Sequence, residues 1–153
     1  MKLKDLLIAG IIAFAIAYST RAIAQKSPIE KVWYDQKKTC KVQIYKGADG
    51  KYYGKTIWLS ENIDKKTGKP YTDKENPDEN QRNKPLIGLV LLQGFEQDPQ
   101  DKNVFTGGSV YDPDNGKTYC GKIVFKGNSL DMRGYLCSFS VFGRSEEWSL
   151  AEE

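Results

Sequence analysis

Residues 107–125, Gly-Gly-Ser-Val-Tyr-Asp-Pro-Asp-Asn-Gly-Lys-Thr-Tyr-Cys-Gly-Lys-Ile-Val-Phe, restrict the fold more than any other stretch. Val110 and Tyr111 favour extended backbone, because branched and aromatic side chains fit a pleated surface. Asp112-Pro113-Asp114-Asn115-Gly116 then supplies turn chemistry at every step. Pro113 presets φ for the first central turn position, and Asn115 and Gly116 tolerate positive φ. Residues 119–125 return to a β pattern. Strand, tight turn and strand predict a β-hairpin.

Most of the chain repeats that pattern. Val32, Trp33 and Tyr34 fall in a short first strand within 29–34. Residues 39–46 alternate, with Cys40, Val42 and Ile44 on one face, as in a half-buried strand. Gly47-Ala48-Asp49-Gly50 is a turn into a strand over 51–59. Asp49-Gly50-Lys51 resembles Asn115-Gly116-Lys117, so one hairpin chemistry is used twice. Residues 86–92 are an apolar run interrupted by Gly88, which predicts a buried strand, and Gln93-Gly94-Phe95 opens a polar connection. Strands over 104–111, 130–139 and 143–150 follow, with a bulge or bend expected at Gly107-Gly108. Residues 60–85 are polar, carry three prolines and exceed an ordinary connection. They form either a mobile flap or an ordered loop at one barrel end. About eight sequential antiparallel strands predict an all-β fold, a single up-and-down barrel whose closure removes sheet edges. A two-sheet sandwich is the alternative.

The N-terminus bears on compartment. Lys2 and Lys4 precede an apolar run over 6–18, and Ala22-Ile23-Ala24 has the small-x-small form of a cleavage site. This predicts a secretory signal peptide over 1–24, and the run is shorter than the ~20 residues that span a bilayer. Residues 25–153 then form one domain, periplasmic or secreted, with no integral membrane segment after cleavage. Three cations and one anion leave with the signal, so the formal net charge drops from +3 to +1. That gives no electrostatic case for nucleic acid.

The chain has no His, which removes Ser-His-Asp and Cys-His nucleophiles and His-ligated zinc. The carboxylates of the 60–85 loop do not follow the calcium-loop spacing, and lysines intervene. No catalytic constellation, metal site or cofactor is predicted. Of three cysteines, Cys120 and Cys137 lie on consecutive strands of one hairpin. When the apolar faces are aligned, Tyr119, Ile123 and Phe125 on one strand meet Leu130, Met132 and Leu136 on the next, and both cysteines fall outward and nearly opposite. A Cys120–Cys137 disulfide is expected, with Cys40 free; burial of all three as small hydrophobes is the alternative.

An ordered series of short motifs runs through the chain. It includes Tyr53-Gly54-Lys55, Trp58-Leu59, Pro85-Leu86-Ile87-Gly88-Leu89, Gly107-Gly108, Tyr111-Asp112-Pro113, Asn115-Gly116-Lys117-Thr118-Tyr119, Arg133-Gly134-Tyr135 and Gly143-Arg144 with Trp148. The series resembles the secreted bacterial family catalogued as domain of unknown function two-one-four-seven. The resemblance implies a lipocalin-like (calycin) barrel and no established activity. Lipocalins also carry Gly-x-Trp on the first strand and an Arg near the last strand that stacks on it. Trp33 and Arg144 could play those parts and close one barrel end through a cation–π contact, although Lys31 replaces the Gly.

Three functions compete. A binding barrel would hold a small apolar or amphipathic ligand inside, lined by Trp58, Leu91, Phe105, Tyr119, Phe125 and Met132. An envelope structural or protein-interaction module would use the 60–85 loop. An enzyme would need carboxylates converging in a cavity. The absence of His favours a non-catalytic binding barrel.

Overall fold

The computed structural model describes residues 26–151; the expected signal peptide and cleavage site lie outside them. Eight strands follow in order: β1 (Val32–Tyr34), β2 (Cys40–Lys46), β3 (Tyr52–Leu59), β4 (Val90–Gln97), β5 (Val104–Asp112), β6 (Lys117–Phe125), β7 (Ser129–Leu136) and β8 (Phe139–Leu150). Each pairs antiparallel with the next, and β8 returns to β1, so the sheet is a closed barrel rather than a sandwich. The closing seam is short, with Trp33 opposite Leu150 and Tyr34 opposite Ser149. The odd strands finish at one end, termed here the upper end. It carries the β1–β2 turn, the long β3–β4 loop, the β5–β6 turn and the β7–β8 hairpin.

The β5–β6 turn forms as its chemistry demands. The Asp112 side chain accepts from the Asp114 amide at 2.9 Å and from Asn115 Nδ2 at 2.7 Å, while the Gly116 amide donates to the Asp112 carbonyl at 2.9 Å. Gly116 sits at φ +67°, and a Cβ there would lie 1.9 Å from the Glu75 carbonyl oxygen. Glycine is therefore required twice over, by dihedral and by the long loop pressed against the turn.

The 86–92 strand is displaced from its expected place. Leu86 to Leu89 form a turn, with Gly88 at φ +92°, and β4 begins at Val90. Gln93-Gly94-Phe95 lies inside β4 rather than opening a connection. Gly94, at φ +71°, shifts the register so that both Leu92 and Phe95 are buried. The bulge at Gly107-Gly108 is present where expected, with Gly107 at φ +74°.

The lower part of the barrel is filled. Trp33, Phe95, Phe105, Leu92, Ile123 and Leu130 are fully buried, with Ile44, Tyr52 and Trp148 beside them. Glycines make room for the large rings. A Cβ at Gly108 or Gly121 would stand 2.4 Å from the Phe95 ring, and one at Gly54 would stand 2.7 Å from Leu92. Phe95 thus fills the notch left by two facing glycines, and interiors tolerate no such overlap. Trp33 closes the lower end, with its indole N–H donating to the Ile29 carbonyl at 2.9 Å and its ring edge-on to Phe125 at 6.4 Å.

Candidate functional site: the upper end of the barrel

Inward-facing positions change character along the strands. On β2, Ile44 and Val42 are buried and Cys40 above them is half-buried. On β5, Phe105 is buried and Val110 half-buried; on β6, Ile123 is buried and Tyr119 half-buried. On β7 the order is Leu130, Met132, then half-buried Gly134. On β8, Trp148 is buried while Glu146, within 3.5 Å of the Trp148 indole nitrogen, is half-buried. Inward positions are thus mostly fully buried in the lower part of the barrel and only partly buried toward the upper end. On β3 the uppermost inward residue, Thr56, stays buried, where its hydroxyl lies 3.9 Å from Cys40 Sγ.

The six residues expected to line a ligand cavity separate accordingly. Phe105 and Met132 are buried core, and Phe125 and Leu91 pack partly buried against it. Tyr119 stands at the mouth, where Asn115 Nδ2 donates to its hydroxyl at 3.2 Å. Trp58 is a correction. The register shifts between Lys41 and Val42, opposite Thr56 to Trp58, so strict alternation fails there. Thr56 points in and Trp58 lies on the outer face, edge-on to Tyr34 and under the Lys41 ammonium at 5.5 Å. Leu136 is a second correction. It ends β7 at the upper end, beyond the packed core, and is 49% exposed.

The expected Trp33–Arg144 contact is also overturned. Trp33 pairs with Leu150, whereas Arg144 pairs with Gly134, six residues away or about 20 Å along β8. Arg144 is exposed at the upper end while Trp33 closes the lower one, and the ring against Trp33 is Phe125. The Cys120–Cys137 disulfide is present, with Cα atoms 5.1 Å apart, and Cys40 is free. Burial pushes the Cys40 thiol up to about 11, with the Thr56 hydroxyl opposing weakly.

The long loop is ordered rather than a mobile flap. It carries isolated bridges between Ile63 and Pro70 and between Thr72 and Pro85, and a 3₁₀ turn over Glu79–Gln81 capped by Asp78. Its anchor is Asp73, which stands with Asn76-Pro77 in the motif series of the family and whose partner Tyr111 the sequence did not indicate. Asp73 is fully buried and accepts from the Tyr111 hydroxyl at 2.7 Å and from Asn76 Nδ2 at 2.6 Å. Burial and then the bond to Asp73 push Tyr111 up to about 12. A solvent-open cleft of about 410 Å³ lies between this loop and β4, bordered by Asp73, Lys84, Ile87 and Gln93. Among the described residues no group of three or more His, Cys, Asp or Glu could hold a metal, and no helix is long and apolar enough to cross a membrane.

An eight-stranded, closed, antiparallel barrel around a packed core is a lipocalin-like fold. The solved structure of protein HP1028 from Helicobacter pylori, described as belonging to the lipocalin family, superposes with a TM-score of 0.68 and 22% identity over 82% of this chain and 84% of that one. Comparison with curated proteins gives no match. Residues 31–149 match the model of a family described as "Uncharacterized protein conserved in bacteria (DUF2147)", and the chain belongs to that family.

Proposed function

We propose that the protein is a non-catalytic binding barrel, periplasmic or secreted, that holds a small apolar or amphipathic molecule in its upper tier. The gradient of burial supports this reading: inward positions are fully buried at Trp33, Phe95 and Phe105 but only partly buried at Val110, Tyr119, Gly134 and Glu146. The ligand's apolar part would rest on the buried aromatic rings and Val110. Its polar end would meet Tyr119 and Glu146, a few polar groups in an apolar setting, as small-molecule sites use. The disulfide accords with an oxidising compartment. The family resemblance to lipocalins supports the fold, and the chemistry of the ligand rests on this chain's own residues.

The test is titration with an environment-sensitive apolar dye, followed by displacement with long-chain alcohols, amines and fatty acids. Val110→Trp should fill the upper tier and weaken binding about tenfold or more through lost apolar contact. Ile87→Trp, in the outer cleft, should leave it unchanged. Equal binding by Val110→Trp, with its melting curve preserved, would refute an upper-tier site.

A second reading has its own observation. The exposed large apolar residues Ile57, Trp58, Ile63, Ile87, Leu136, Phe139, Val141 and Phe142 all belong to upper-end elements. An envelope interaction module would present this end to a partner, using the hairpin as much as the 60–85 loop.

A further inference from the structure

The β7–β8 hairpin is built unlike any other turn of the barrel. Tyr135 pairs with Gly143 and Leu136 with Phe139, so β8 carries three extra residues, Ser140 to Phe142, that bulge outward. Phe139, Val141 and Phe142 on this bulge are 63%, 84% and 67% exposed. The bulge is held in shape. Cys137 is bonded to Cys120 on β6, and Arg133 Nη2 donates to the Ser140 carbonyl at 2.9 Å. Phe139 and Phe142 meet edge to face at 6.5 Å. A covalently stapled, hydrogen-bonded segment that presents three apolar side chains to water is a preorganised contact.

Its charge selects the partner. Between Arg133 and Ser145 the chain has no acidic residue, and Arg133 and Arg144 stand at the base of the two hairpin strands. Lys122 on β6 lies opposite Arg133 in register. Of the nearby acids, Asp131 pairs with Lys126, Glu146 lies half-buried by Trp148, and Glu147 is exposed opposite Asp131, farther down the barrel than the two arginines. An apolar, aromatic tip above a basic collar matches the interface of an anionic bilayer, where rings enter the headgroup boundary and cations meet lipid phosphates. The geometry points to a membrane-docking wedge: residues 136–142 insert into an anionic lipid surface and set the barrel with its upper end toward the bilayer. This goes beyond the ligand reading and does not depend on it.

The experiment is flotation of the disulfide-bonded protein with vesicles of phosphatidylglycerol and phosphatidylethanolamine, or of phosphatidylcholine alone. The protein should float with the anionic vesicles, and about 0.5 M salt should weaken this strongly because the collar is screened. Val141→Ser, at a position with almost no packing to lose, should reduce partitioning several-fold. Val141→Asp with Phe142→Asp should abolish it, with the melting curve and disulfide unchanged. Lys122→Glu with Arg144→Glu should remove the salt dependence. The proposal is overturned if neither vesicle binds the protein, if Val141→Ser and the Asp pair float like the parent, or if the parent is a dimer that the Asp pair dissociates without loss of vesicle binding. That last result would assign the tip to a second copy of the chain.

Discussion

Phe95 is the residue on which the interior depends. Its ring occupies space that side chains at Gly108 and Gly121 would otherwise take. Phe95→Ala should lose about 3–5 kcal/mol through the cavity it leaves. Gly121→Ala should destabilise by about 1–3 kcal/mol from overpacking, and Phe95→Leu should restore part of that loss. Denaturant melts of the single variants and the pair would measure the coupling; additive effects would contradict a shared notch. At the same scale, alkaline pH acts on two groups. Cys40 and Tyr111 both have pKa values raised by burial, to about 11 and about 12. The unfolded chain ionises them first, so their contribution is complete below pH ~9 and is lost progressively as pH rises toward 12. Tyr111→Phe should flatten the upper part of that fall. Alkylation of Cys40 in the folded protein should stay slow at pH 8, since the thiolate is the reactive form.

Elements show where alternation can be trusted. The β5–β6 hairpin was legible because its turn residues are local and each has a physical role. The outward placement of Cys120 and Cys137, and hence their bridge, followed from facing apolar sets on β6 and β7. Leu136 is exposed because it ends β7 beyond the packed core, whereas Trp58 was misplaced because an extra residue on β3 beside it reverses the faces, and a bulge leaves no apolar pattern of its own. Phe95 was missed for the same reason, since Gly94 moves it onto the inward face. Asp73 was legible only as a motif residue beside Asn76-Pro77; only the fold brings it to Tyr111, 38 positions later. Asp73→Ala would leave the buried Tyr111 hydroxyl unpaired, a loss of about 1–3 kcal/mol. Hydrogen exchange should then rise across residues 62–85 while β2 and β6 stay protected. Unchanged exchange in the loop would show that its bridges hold it without the anchor. Replacing Cys120 and Cys137 with Ser should remove about 3 kcal/mol by freeing a 17-residue separation in the unfolded chain.

The whole molecule is polarised along the barrel axis. Large rings seal the lower end, where Trp33 needs no arginine to complete it. The upper end gathers the half-buried inward residues, the long loop and the exposed apolar side chains. Closed-barrel architecture was readable from eight sequential strand signals, whereas the depth of any cavity was not, because glycine positions that look like space are filled from across the barrel. The most direct measurement is methyl-labelled NMR during titration with a long-chain alcohol. Shifts concentrated at Val110, Val90 and Met132, with Ile44, Ile123 and Leu130 unmoved, would place the ligand in the upper tier. Shifts confined to Ile87 and Val141 on the outside, or none at millimolar ligand, would contradict a ligand-binding barrel.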